Sequence, residues 1–189
     1  KAGLVVREMA DQLALDLVDK DLVADQIVLT VGYDIDNLRD PALRRQYSGE
    51  VKTDRYGRKI PKHAHGTVSL KQHTSSAKQI VQAVTELYDR ITDRKLLVRR
   101  ISMAAGHVIP RSEALGKIQF EQMDLFTDYA ALGKEKEKEQ GEQERERKMQ
   151  EAVLEIKKKF GKNAILKGMN LEEGSTARER NSQIGGHRA

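Results

Sequence analysis

Apolar side chains recur at three- and four-residue steps in two long stretches of this chain and alternate with polar ones in three others. Over residues 4–18, Val6, Met9, Leu13 and Leu17 form one stripe of a 3.6-residue period. This predicts a helix with Arg7, Glu8, Asp11, Gln12 and Asp16 on its wet side. A stronger stripe runs through Ala77, Ile80, Val81, Val84, Leu87, Tyr88 and Ile91, with Thr74 or Ser75 placed to cap it. A stripe of that kind is a core face, so the second helix reads as scaffold.

Strands are predicted where the period drops to two. Ile27, Leu29, Val31 and Tyr33 point one way, and Val28, Thr30, Gly32 and Asp34 the other. Over residues 64–71, His65, Thr67, Ser69 and Lys71 share one face and Gly66, Val68 and Leu70 the opposite one. Over residues 96–104, Ile101 and Met103 should face the helices and Arg100 and Ser102 should face outward, with Arg99 at the strand's entry. The order helix, strand, long loop, strand, helix, strand predicts an α+β two-layer sandwich: an antiparallel sheet with two helices on one face. The other face then carries Thr30, Gly32, His65, Thr67, Ser69, Lys71, Arg100 and Ser102. Hydroxyls and cations without aromatics suit phosphate contacts, which position a nucleic-acid backbone without reading its sequence. The plain alternative is a solvated face.

The connection over residues 34–62 has no clean period. It holds Pro41, Gly49, Gly57 and Pro61 and the basic residues Arg44, Arg45, Lys52, Arg55, Arg58, Lys59 and Lys62. Tyr56 is either the tip of a hairpin turning at Tyr56-Gly57 in a solvated loop, or a platform on which a base stacks. His63 and His65 share a strand face, but no third ligand of suitable spacing accompanies them, so a metal site is disfavoured.

Composition alters this picture in a few respects. At 189 residues, 38% hydrophobic and 33% charged, the chain is wetter than a single globule, which fits one modest core plus a solvated appendage. A net charge of +5 permits nucleic-acid binding without establishing it. With no Cys there is no disulfide framework, thiolate zinc site or thiol nucleophile. No GxxxxGK[ST] loop, no HExxH and no nucleophile with a base at sensible spacing is present. No apolar run is long enough to span a membrane and no signal-peptide pattern opens the chain, so a cytoplasmic protein without a membrane partner is expected. The first residue is Lys, and a piece of a longer protein is expected.

The appendage begins with Gln122, Met123, Asp124, Leu125 and Phe126, which join an orienting amide to two adjacent apolar anchors. That chemistry fits a concave pocket, or an amphipathic turn folding back on its own domain. Residues 134–148 are almost wholly charged and predict a solvated helix or disorder. Met149, Ala152, Val153, Ile156 and Phe160 then form a stripe ending at Gly161, either a docking helix or a lid on the protein's own body. In the last 22 residues, Arg178, Arg180, His187 and Arg188 could touch nucleic acid or a recombinase filament, unless the end is simply disordered.

The runs Glu8-Met9-Ala10-Asp11-Gln12-Leu13-Ala14, Gln26-Ile27-Val28-Leu29-Thr30-Val31-Gly32-Tyr33-Asp34, Lys62-His63-Ala64-His65-Gly66 and Leu97-Val98-Arg99-Arg100-Ile101 together resemble the little finger domain of Y-family translesion DNA polymerases. The likeness is to UmuC-like proteins of Gram-positive bacteria and extends into the tail. It implies a little finger over residues 1–110 whose first strand precedes Lys1, a linker over 111–133 and a charged tail over 134–189. It also implies that the sheet grips duplex DNA through its backbone, with Thr30, Gly32, His65, Thr67, Ser69, Lys71, Arg99, Arg100 and Ser102 in contact. Gln122, Met123, Asp124, Leu125 and Phe126 resemble the peptide by which bacterial polymerases and repair proteins bind the sliding clamp, and they stand where the family places it. The palm, fingers and thumb have no counterpart in these residues. The Mg²⁺ ions of polymerisation are expected in that missing core, and no cofactor is expected here. The implied function is the DNA-binding and clamp-binding part of an error-prone polymerase in the SOS response. A stand-alone, non-catalytic adaptor that competes for the clamp is the alternative.

Overall fold

A computed structural model describes residues 1–116, 129–184 and 187–188. The three alternating stretches form the long strands of one antiparallel sheet. β1 (Leu22–Tyr33) runs down the middle, flanked by β4 (Ala64–Thr74) and β5 (Val98–Gly106). β1 starts five residues before the stretch that alternation marks, where Val23 and Ala24 are still buried, β4 runs three residues past its stretch, and β5 keeps its length but lies two residues further along the chain. A short β6 (Ile109–Pro110) pairs with the start of β1 at Leu22 and Val23. Helices α1 (Ala2–Asp19) and α4 (Ala77–Ile91) cover one face, giving the α+β two-layer sandwich.

The α4 stripe lies where the 3.6-residue period puts it; in α1 the buried face keeps Val6 and Leu17 but turns toward Ala10 and Ala14, leaving Met9 and Leu13 half-buried at its edge. Val6, Ala10, Ala14 and Leu17 of α1 and Ile80, Val84, Leu87 and Tyr88 of α4 enclose Ile27, Leu29, Val31 and Tyr33. Ile101, Met103 and Val68 pack against this cluster from the outer strands. Gly66 is required by the approach of α4: a Cβ there would stand 2.9 Å from Leu87 Cδ1 and 3.0 Å from Ile91 Cγ2. The cap of α4 is Ser76, whose Oγ accepts from the Gln79 N–H at 3.2 Å. Thr74, expected as a cap, instead orients Ser76 by accepting its N–H.

The aperiodic connection is more ordered than its sequence suggests. Two short helices, α2 (Asp36–Arg39) and α3 (Pro41–Gln46), precede a hairpin of β2 (Val51–Thr53) and β3 (Lys59–Pro61). Asp40 caps α3 through the Ala42 N–H, and Pro41 supplies the preset φ of a first helical residue. The hairpin turns at Asp54, with Gly57 in the left-handed region at φ 77° and Gly57 N–H donating to Asp54 O at 3.0 Å. Asn37 anchors the insertion to the sheet. It is fully buried, donates to the carbonyls of Asp34 and Leu97, each at 2.9 Å, and accepts from Leu97 N–H at 2.7 Å.

The tail corrects two expectations. After α5 (Arg111–Gly116), α6 (Tyr129–Phe160) is a single helix that runs through the charged stretch and lies against α1 and the start of α4. It does not dock by its apolar stripe: Met149 is 60% and Phe160 67% exposed. The docking row is polar, because its partners are helix ends and carboxylates. Glu146 accepts from Ser76 Oγ and from Lys78 N–H at the start of α4. Gln150 donates to Ser75 O, Arg147 pairs with Asp21 at 2.8 Å, and Lys158 pairs with Asp19. Burial in this row pushes Lys157 below the usual lysine range, with Asp11 and Asp16 pulling against that and Lys167 reinforcing it.

Glu8 and Asp11, expected on the wet side of α1, are buried. Gly161 ends α6 at φ 99°, and the chain returns through a 3₁₀ turn (Gly168–Leu171) and α7 (Ala177–Asn181) to cover them. Glu8 accepts from Asn170 Nδ2 at 3.2 Å, Thr176 N–H at 3.1 Å, Ser175 Oγ and Arg180 Nη2 at 3.1 Å. Lys167 pairs with Asp11. Burial alone would raise the Glu8 carboxyl, but the bonds from Ser175, Thr176 and Asn170 and the charge of Arg180 outweigh it and leave it below the ordinary value. A minimal pair of strands, β7 (Gln183–Ile184) and β8 (His187–Arg188), follows α7.

Candidate nucleic-acid interface

The uncovered face of the sheet is built from three strands in register. Thr30 sits between His65 and Ser102, Val28 between Thr67 and Ala104, Gln26 between Ser69 and Gly106, and Gly32 opposite Arg100. Alternation therefore brings Thr30, Gly32, His65, Thr67, Ser69, Arg100 and Ser102 onto one surface, with Lys71 further along β4. His65, Thr67, Ser69, Lys71, Arg100, Ser102 and Ala104 are exposed. Thr30 Oγ1 and His65 Nδ1 lie 2.9 Å apart in one hydrogen bond. A Cβ on Gly32 would meet Arg100 Cβ at an ordinary 3.6 Å, so the protein itself does not require glycine there.

Arg99 joins this surface through a bulge. Between the pairs Gly32 with Arg100 and Tyr33 with Val98, β5 spends one residue more than β1. Val98 and Ile101 can then both pack on the core while Arg99 and Arg100 are both exposed. Arg99 Nη1 is 4.0 Å from Asp34 Oδ2, and Arg100 and Lys71 have no carboxylate partner among the described residues. The tail packs on α1 and leaves this face open.

Cations continue past the bulged end of the sheet into the insertion. Arg44, Arg45, Lys52, Arg55 and Lys59 are exposed along α3 and the hairpin. Tyr56 is 65% exposed at the hairpin tip. Asp54 holds the tip by accepting from Tyr56 N–H, Arg58 N–H and Arg58 Nε. Chiefly the Arg58 side chain, and then the two N–H groups, keep its carboxyl below the ordinary aspartate value. A groove of about 520 Å³ lies between this hairpin and α2–α3, with Arg39, Arg44, Arg58 and Lys59 on its walls.

At the opposite end of the sheet, β4 bulges between Thr74 and Ser69, and His73, His107 and Asp25 meet there. His107 Nδ1 lies 2.8 Å from Asp25 Oδ1 and His73 Nε2 3.6 Å from Asp25 Oδ2. Among the described residues no group of three or more His, Asp or Glu is arranged to hold a metal ion, the pair His63 and His65 included. No helix among them is long and apolar enough to cross a membrane. Gln122, Met123, Asp124, Leu125 and Phe126 lie outside the described residues.

Residues 2–124 match the model of the impB/mucB/samB family C-terminal domain. The chain belongs to that family. This is the C-terminal domain of UmuC-like, Y-family polymerases, and the match runs from α1 through the exposed sheet face. No curated protein matches the chain.

Sequence reasoning did not single out Asn37, Arg39 or the groove. Their signal was faint, since Asn37 is one polar residue in an aperiodic stretch and the groove forms only once α2, α3 and the hairpin close on each other.

Proposed function

We propose that this chain is the DNA-gripping and clamp-tethering C-terminal part of an error-prone translesion polymerase acting in damage tolerance, of the kind found in Gram-positive bacteria, and that it works in the cytoplasm. The observation that carries the reading is the open sheet face, where Arg99, Arg100 and Lys71 stand among hydroxyls, His65 and a bare Gly32, with no aromatic side chain. Such a face takes phosphates at many registers and reads no base edge, as a polymerase that must pass any template requires. Thr30, Thr67, Ser69 and Ser102 donate to phosphate oxygens. Gly32 lets the backbone of the duplex come close beside Arg100.

The clamp reading is supported by the chemistry of Gln122, Met123, Asp124, Leu125 and Phe126 and by their place between the folded domain and α6. Catalysis and its Mg²⁺ ions belong, on this reading, to a palm that these residues do not include. A recombinase filament remains a candidate partner for the tail through exposed Arg178, whereas Arg180 is engaged with Glu8.

Binding of fluorescent duplexes of unrelated sequence tests the proposal. Equal affinities for all of them, weakened alike by Arg99→Ala with Arg100→Ala, are expected. A marked preference for one sequence would refute backbone gripping.

A further inference from the structure

We propose that the β2–β3 hairpin and the groove behind it form a second nucleic-acid contact, specific for a single strand: Tyr56 stacks on an unpaired base while Arg39, Arg44 and Lys59 hold the phosphates that follow. This rests on the reading of the open sheet face as a duplex surface, and extends it to strand that is not yet paired.

Tyr56 is a large ring left 65% exposed at the tip of a short hairpin. Its setting is rigid on one flank. Arg58 is fixed to Asp54 by its Nε at 2.8 Å and its Nη2 at 2.7 Å, and its guanidinium carbon lies 5.1 Å from the ring centroid. The other guanidinium is the adaptable one. Arg55 lies 4.7 Å from the centroid, and its hydrogen-bond partner among the described residues is the Tyr56 hydroxyl. A base arriving on the ring displaces or stacks upon Arg55, whose charge then meets the adjoining phosphate.

The charges around the ring select the ligand. An exposed Tyr beside Arg also marks protein interfaces. Here, however, Arg44, Arg45 and Lys59 have no carboxylate partner among the described residues, Arg39 has only an exposed pairing with Asp36 at 3.7 Å, and the groove joins Arg39, Arg44, Arg58 and Lys59 to the apolar Leu38 and Val51. Unneutralised cations in a row beside one aromatic are the pattern of single-strand binding, where each base offers a π-face and each phosphate a charge. A base inside a duplex already has both faces stacked, so Tyr56 reaches only an unpaired or terminal one. Asn37 ties the insertion to Leu97, two residues from Arg99, so the two surfaces share one end of the sheet.

The test uses the full chain and three labelled DNAs: a blunt duplex, the same duplex with a thymidine overhang, and the overhang strand alone. The overhang duplex is expected to bind more tightly than the blunt one. Tyr56→Leu should remove roughly tenfold of affinity on the overhang duplex and little on the blunt one, and Tyr56→Phe should retain it. A 2-aminopurine in the overhang should be quenched by the parent and not by Tyr56→Leu. Equal binding of parent and Tyr56→Leu to all three DNAs, or an equal loss on blunt and overhang duplexes, would overturn the inference. If Arg99→Ala with Arg100→Ala weakens the blunt duplex while Tyr56→Leu changes nothing, only the hairpin reading fails. If the double Arg variant binds blunt duplex like the parent, the sheet reading fails, and the overhang contrast still decides the hairpin.

Discussion

Glu8 shows how a correct local pattern can carry a wrong surface. Its position on α1 is off the apolar stripe, as the period requires, yet its carboxylate is buried by Asn170, Ser175, Thr176 and Arg180 from the far end of the chain. Nothing local in the first helix announces partners so distant in sequence. Replacing Glu8 by Ala should strand Arg180 against a buried surface, at a cost of about 3 kcal/mol to tail docking. Hydrogen exchange should then show residues 168–181 unprotected while β1 keeps its protection. Equal protection of the tail in both proteins would contradict this. Because the folded-state pKa of Glu8 is depressed, its contribution is present above the unfolded value of about 4.3 and is lost as pH falls through that range and below. Tail protection should therefore fall in acid, and Glu8→Gln should remove the Glu8 part of that dependence.

At the scale of elements, strands and core helices were the most legible because each of their residues reports a face. Even the bulge left a trace: Val98-Arg99-Arg100-Ile101 breaks alternation, and only an extra residue lets both Arg side chains face out. The insertion was illegible because α2 and α3 are each too short for a period, and their order comes from the Asp40 cap and the buried Asn37. For α6 the period was legible and its meaning was not. An apolar stripe predicts burial, but this helix docks through Glu146, Arg147 and Gln150 on ends of α1 and α4. Glu146→Ala should leave the Ser76 cap in place but remove the acceptor for Lys78 N–H and Ser76 Oγ at the start of α4, and destabilise the fold by about 1 kcal/mol. Met149→Ala with Phe160→Ala, on exposed positions, should leave the melting temperature within about 1 °C. A larger loss from the Met149 and Phe160 pair than from Glu146 would reverse the assignment of the docking row.

At the scale of the molecule, the domain is two-sided. Its helical layer is occupied by its own tail and its sheet layer is open. Between the folded domain and that tail, in sequence, lies the proposed clamp peptide. Leu125→Ala with Phe126→Ala should abolish clamp binding, each anchor contributing about 2 kcal/mol or more, with the melting temperature nearly unchanged. A drop of several degrees would instead mark the two residues as part of the core. The central claim is that the open sheet face grips the phosphate backbone, and the salt dependence of duplex binding tests it most directly. Each phosphate contact contributes about 0.9 to the slope of log affinity against log salt, so Arg99→Ala with Arg100→Ala should flatten that slope by roughly 2 on duplexes of any sequence. An unchanged slope with unchanged affinity at low salt would contradict the account.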